Sequence, residues 1–185
     1  MLEQIAPDNL YYTGKEQLHE LGELYVGPRG KKYVYGKFEL GAASATTVNR
    51  GHFVFPHISA ANTFGGLGKG DSLGSYWGAD YTDGVLADKG YVGVALGQHL
   101  TTTSYGWFQV AGVVTAIQGT TEAIVDGDPL RLKDDKQPTK FSQEGNTTGG
   151  ALVIQSYVSF GLAMENFSAV TNTLKKKVAL DGKNW

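Results

Sequence analysis

One stretch of this 185-residue chain spells a catalytic pattern, Gly70-Asp71-Ser72-Leu73-Gly74. Gly-x-Ser-x-Gly is the spacing of a nucleophile elbow, in which a strand before the serine and a helix after it hold the hydroxyl out on a tight turn. Here the residues before it read SAANTFGGLGKG, and Ser75-Tyr76-Trp77-Gly78 follows. Neither flank supplies the strand or the helix. A serine nucleophile also needs a base, and the only later histidine is His99, in a candidate strand–turn region. The pattern is therefore read as loop sequence, and no catalytic residue is assigned.

Other chemistry fares no better. The same five residues resemble the Gly-Asp-Ser-Leu box of an esterase family, but that family places an Asp three residues before its histidine, where this chain has Leu96. Gly65-Gly66-Leu67-Gly68-Lys69-Gly70 resembles a phosphate loop in composition only, since Lys69 is followed by Gly70 where Ser or Thr is required. The histidines are His19, His52, His57 and His99; His52 and His57 are separated by Pro56 and share no helical face. Asp126 and Asp128 flank Gly127, but the spacing and terminal Glu of a calcium loop are absent. Asp-Gly-Asp-Pro reads more simply as a turn in which Asp side chains bond nearby backbone. Without cysteine, disulfides and thiolate metal sites are excluded. No metal, no cofactor and no enzymatic activity are expected.

Composition narrows the class. The net charge of −2 offers no basic excess for nucleic acid. Lys175-Lys176-Lys177 reads as a solvated sheet edge that discourages strand pairing. No apolar run reaches the roughly 18 residues that span a bilayer. Met1 to Asp8 lacks the basic and apolar regions of a signal peptide, so assembly in the cytoplasm is expected. Twenty-six glycines are about twice the usual share, and charged residues, at 18%, fall below the usual quarter. Such a surface suits a protein that is buried against neighbours.

The elements that would position any site are mostly strands. Residues 1–30 read as an N-terminal arm with one short helix: Thr13-Gly14-Lys15-Glu16 has capping-box spacing, Leu18, Leu21 and Tyr25 share a helical face, and Gly27-Pro28 ends it. Residues 31–185 read as a β-rich core. Lys32–Leu40, Gly51–Phe55, Val92–Leu96, Tyr105–Val110, Leu130–Leu132, Phe160–Met164 and Lys177–Leu180 are the candidate strands. An irregular Gly-rich loop interrupts them at about 59–78. The fold class is all-β, a small β-barrel or sandwich. A weak internal echo, seventeen positions from Gly93 to Val110 and from Gly161 to Val178, suggests two related hairpins. The aromatics Tyr33, Tyr35, Phe38, Trp77, Tyr81, Tyr105, Trp107 and Phe108 read as core and subunit-interface packing in preference to a sugar platform.

The order Gly93-Val94-Ala95-Leu96, Tyr105 to Val113, then Val125-Asp126-Gly127-Asp128-Pro129-Leu130, closing with Phe160 to Met164 and Val178-Ala179-Leu180, resembles the capsid decoration, or cement, proteins of tailed bacteriophages. The resemblance covers about residues 85–182. It implies a structural virion protein, a homotrimer bound to the major capsid protein on the outer face of the shell, with no catalytic residues. The assembly candidates on this reading are Leu18, Leu21, Tyr25, Phe64, Leu67, Trp77 and Trp107. The alternative is a carbohydrate- or receptor-binding β-module of a phage tail or fibre.

Overall fold

Strands dominate the computed structural model, which describes residues 9–38, 48–56, 76–78, 92–98, 104–117, 124–133, 137–140, 159–166, 175–182 and 185. In chain order they are β1 (Thr13–Gly14), β2 (Leu24–Val26), β3 (Lys32–Phe38), β4 (Phe53–Pro56), β5 (Tyr76–Gly78), β6 (Gly93–Ala95), β7 (Ser104–Ile117), β8 (Pro129–Lys133), β9 (Gln137–Lys140), β10 (Gly161–Ala163) and β11 (Lys175–Leu180). The all-β class is what the alternation in the sequence indicated.

Five of these strands close into a ring. β3 pairs β5 in parallel, β5 pairs β4, β4 pairs β6, β6 pairs β7, and β7 returns to β3, the last four antiparallel. Closure removes the exposed edges of a small sheet. Val34 and Phe38 of β3, Val54, Ala95, and Phe108 and Val110 of β7 fill the ring, and Val48 and Trp185 pack against them. Alternate residues point the other way, so both faces of β3 are used and Tyr33–Gly36 and Phe38 are all buried.

The second layer grows out of β7. Its first half, Ser104–Ala111, belongs to the ring; its second half, Gly112–Ile117, pairs β11, and the sheet continues through β10 and β8 to β9, all antiparallel. Two features of β7 make the handover. Register slips between Lys32 and Tyr33, so that Val110 is an extra residue, a β-bulge that bends the strand. Gly112 then has φ +80, and a Cβ there would stand 3.1 Å from the backbone of Lys31. The second sheet packs its inner face on the ring: Phe53, Val92 and Val94 meet Val114, Ala116, Ile124, Leu130, Phe160, Ala163, Val178 and Leu180. The Phe53 and Phe160 rings are 5.2 Å apart between centroids.

Two expectations are corrected. No helix forms over Thr13–Tyr25. Thr13 and Gly14 pair with Gly106 and Tyr105 of β7, the Thr13 hydroxyl donates to the Gln98 carbonyl at 2.6 Å, and Leu24–Val26 is an edge strand on β3. Backbone groups that a helix would have used internally are taken by β3: Gly22 N–H donates to Tyr35 O at 2.7 Å, Tyr35 N–H donates to Glu23 O at 2.9 Å, and Leu18 N–H donates to the Tyr35 hydroxyl at 2.9 Å. The only helical turn among the described residues is the 3-10 turn Pro28–Gly30. Next, Trp77 lies in β5, so the end of the expected irregular loop is a strand of the ring. The lysine run keeps one edge: Lys175–Lys177 pairs β7 through Ile117, Ala116 and Thr115, while β10 reaches only Val178–Leu180 on the other side.

The internal echo does correspond to two antiparallel neighbours, β6–β7 and β10–β11, but their registers differ. Val94 faces Gln109 in the first, whereas Gly161 faces Leu180 in the second.

Candidate interaction surface

The residues selected as assembly candidates do not gather in one place. Tyr25 and Trp107 are buried inside this chain, in an aromatic layer with Tyr33, Tyr35 and Leu96. His19, Tyr25 and Tyr35 surround the Trp107 indole edge-on, with centroids at 5.0, 6.4 and 5.3 Å. Their side-chain surface is taken up by packing within this chain. Leu21 packs half-buried against the same layer, and Leu18 is exposed. Phe64 and Leu67 lie outside the described residues, as do Ser72, His57, His99, Asp134 and Asp135. For Trp77 the description is limited to backbone, which pairs with Phe38 and Pro56.

The described histidines, His19 and His52, are held by local contacts. His19 Nε2 is 3.1 Å from Asn9 Oδ1, and its Nδ1 is 3.3 Å from Glu23 Oε2, so both ring nitrogens are engaged locally. His52 Nδ1 accepts the Asn49 N–H at 3.2 Å, which only the neutral ring can do, and burial holds its pKa below the usual histidine value. The adjoining Arg50 guanidinium lies 4.6 Å from the centre of the Tyr11 ring, tying the N-terminal segment to this turn. Asp126–Pro129 is the expected turn. Gly127 has φ +87, and Asp128 Oδ2 accepts the Val125 N–H at 2.8 Å. Among the described residues no group of three or more acidic or histidine side chains converges on a possible metal site.

A different feature stands out, and it lies on the second sheet. An antiparallel sheet with one face on the core ordinarily shows polar residues on the other. Here register aligns Val113 of β7, Ala179 of β11, Leu162 of β10 and Pro129 of β8 in one row across four strands. Each alternates with a buried neighbour, Val114, Val178, Leu180, Ala163 or Leu130, so the row faces away from the core. Val113 is 43% exposed and Leu162 46%, and Met164, just beyond β10, is 45% exposed. Ala179 and Pro129 are half-buried.

Charge flanks the row along β11. Lys175 and Lys177 are exposed at one end and Asp181 at the other, all at odd-numbered positions, while Val178, Leu180 and Gly182 are buried. Thr115 stands beside Lys177 in the register. Lys176 points the other way, and its ammonium donates to the Asn166 carbonyl at 3.2 Å. The Glu165 carboxylate accepts the Lys177 backbone N–H at 2.6 Å, fixing the chain that leaves β10 against β11.

Single-residue reasoning missed this surface. Leu162, Val113 and Ala179 read as ordinary strand residues, and only the pairing of three separated segments brings them into line. The signal available in the sequence was parity: Lys175, Lys177, Ala179 and Asp181 occupy one face of a strand whose other face is Val178 and Leu180.

The chain is thus an all-β protein, a closed ring extended by a two-faced sheet. No known protein family matches it, and no curated protein does. Among solved structures it is similar to the crystal structure of the head fiber gp8.5 N base in bacteriophage phi29, with a TM-score of 0.41 and 10% sequence identity, over 81% of this chain and 95% of that one.

Proposed function

We propose that this protein is a structural component of a tailed-phage virion, a decoration protein that attaches to the major capsid protein and stabilises the shell. The observation that carries the reading is the outward face of the second sheet, where Val113, Leu162 and Met164 stand exposed beside charged residues on a row of four hydrogen-bonded strands. Such a face favours contact with protein, because covering it removes apolar area from water at about 25 cal/mol per Å². Residues held in a hydrogen-bonded row of strands lose little backbone entropy on binding. The strands that build this face, β7, β8, β10 and β11, also carry most of the residues whose order resembles the decoration proteins.

On this reading the protein acts by burial of area between subunits, not by catalysis. The test is made on particles. Virions purified from the source of this sequence should contain the chain in a fixed ratio to the major capsid protein, and cryo-EM should place it on the outside of the head. Heads from which it has been stripped should fail at lower temperature and recover when purified protein is added back. Intact heads that lack the chain, or a location confined to the tail, would refute the proposal.

A further inference from the structure

We infer that the outward face of the second sheet is the contact between two copies of this chain, related by a two-fold axis that lies along the row Val113–Ala179–Leu162–Pro129. The inference rests on the reading of that face as a protein contact and assigns its occupant as a second copy, so that the dimer meets the shell through its remaining surface.

A two-fold contact brings the same patch of both subunits together, so the patch must complement itself. Along β11 the outward residues are Lys175, Lys177, Ala179 and Asp181 in steps of two. An axis passing over Ala179, in the plane of the contact and across the strands, sets Ala179 against its own copy. Lys177 of each subunit then stands over Asp181 of the other, and Lys175 lies one step further out. The apolar row lies on the axis and meets itself: Leu162 against Leu162, Val113 against Val113. The small Ala179 between them leaves a shallow channel into which the larger flanking side chains can settle. Apolar residues therefore lie in the centre and opposite charges at both ends. The other arrangement, with the axis parallel to β11, would put lysine over lysine.

The obstacle to such a contact would be the ring, but it packs on the opposite, inner face through Phe53, Val92 and Val94. The outward face is thus clear of the rest of the described chain.

Its size sets the expected strength. Four strands about 4.8 Å apart, and the stretch from Lys175 to Asp181 at about 3.4 Å per residue, give a face of roughly 19 by 24 Å in plan. That is below the approximately 800 Å² per partner of a standard stable complex. A weak, concentration-dependent dimer is expected, with charge pairing setting its register.

The experiment is sedimentation velocity on the full-length purified chain, loaded from roughly 5 to 300 µM, where an association of this strength must titrate. Wild type should shift from monomer toward dimer across the range. Leu162→Glu, at an exposed position, should remain monomeric, with a melting curve showing that it is folded. Lys177→Glu and Asp181→Lys should each weaken self-association by about tenfold or more, since each places like charges in contact. An equimolar mixture of those two variants should regain the dimer, because only across the axis do the exchanged charges meet their opposites. A wild type that stays monomeric or forms a trimer would overturn the inference, as would a dimer indifferent to Leu162→Glu or a mixture that fails to associate. Binding of the same variants to stripped heads is scored separately: attachment to heads by a monomeric wild type refutes the dimer and leaves the virion role standing.

Discussion

Replacing Gln109 by leucine should destabilise the protein by about 2–5 kcal/mol, although glutamine is polar and the site is buried. Gln109 is 3% exposed and lies where β7 passes from ring to sheet. Its side-chain amide donates to Ala111 O and to Val113 O, both at 3.0 Å. Those two carbonyls bracket Gly112, the residue with φ +80 at which the strand changes partners. Leucine keeps most of the volume, so little cavity term is expected, and the loss is that of one buried and one partly buried hydrogen bond. A withdrawn donor costs about 1–3 kcal/mol where the carbonyl gains no water, and about 1–2 kcal/mol at the partly buried Val113 carbonyl, which gives the total above. In a chain of this length that corresponds to a fall in Tm of very roughly 5–15 °C. Urea unfolding and calorimetry measure it. Gln109→Glu sharpens the test. An ionised carboxylate facing two carbonyl oxygens should cost more than leucine at pH 7, and its folded-state pKa should rise. Its stability should recover as pH falls, when the protonated acid can donate again. A Gln109→Leu variant within 0.5 kcal/mol of wild type (roughly the scatter for inert surface changes), or a Gln109→Glu variant no less stable than leucine at neutral pH, would refute the idea that this amide pins the handover.

Further outcomes follow from the same structure. Gly112→Ala should cost about 1–3 kcal/mol by denaturant titration, because a positive φ is strained with any Cβ and this one would press on the Lys31 backbone. Trp107→Ala should cost about 3–5 kcal/mol and flatten the near-ultraviolet dichroism of the aromatic layer. Trp107→Phe should be far milder, since the buried indole N–H has no hydrogen-bond partner and its removal leaves none unpaired. For His52, burial lowers the folded-state pKa below the unfolded value of 6.5. Its contribution to stability is therefore complete above pH 6.5 and declines as pH falls toward the folded-state value. Melting temperatures between pH 8 and 5 should show that decline, and His52→Gln should lessen it.

The sequence determined the class and most of the strands by local means. Alternation and β-branched or aromatic residues located β3, β4, β6, β8 and β10 within a few residues, and Asp126-Gly127-Asp128-Pro129 announced a turn through its own side-chain chemistry. It also misled locally. Thr13 to Tyr25 carries the spacing of a capped helix, yet pairing of its backbone with β3 and β7 outweighs a weak propensity over a segment that includes two glycines, one of them at φ +81. What tertiary structure alone decided was adjacency. Whether Trp107 faces a partner or a core depends on which strands lie over it. Whether Lys175–Lys177 keeps an edge depends on β10 ending at Val178, so that β7 alone pairs the lysine run. The apolar row likewise exists only because register sets residues 113, 129, 162 and 179 side by side. Local spacing encodes which face of a strand a residue occupies, but not which strand comes next to it, because that choice is made by long-range burial and hydrogen bonding summed over the whole chain.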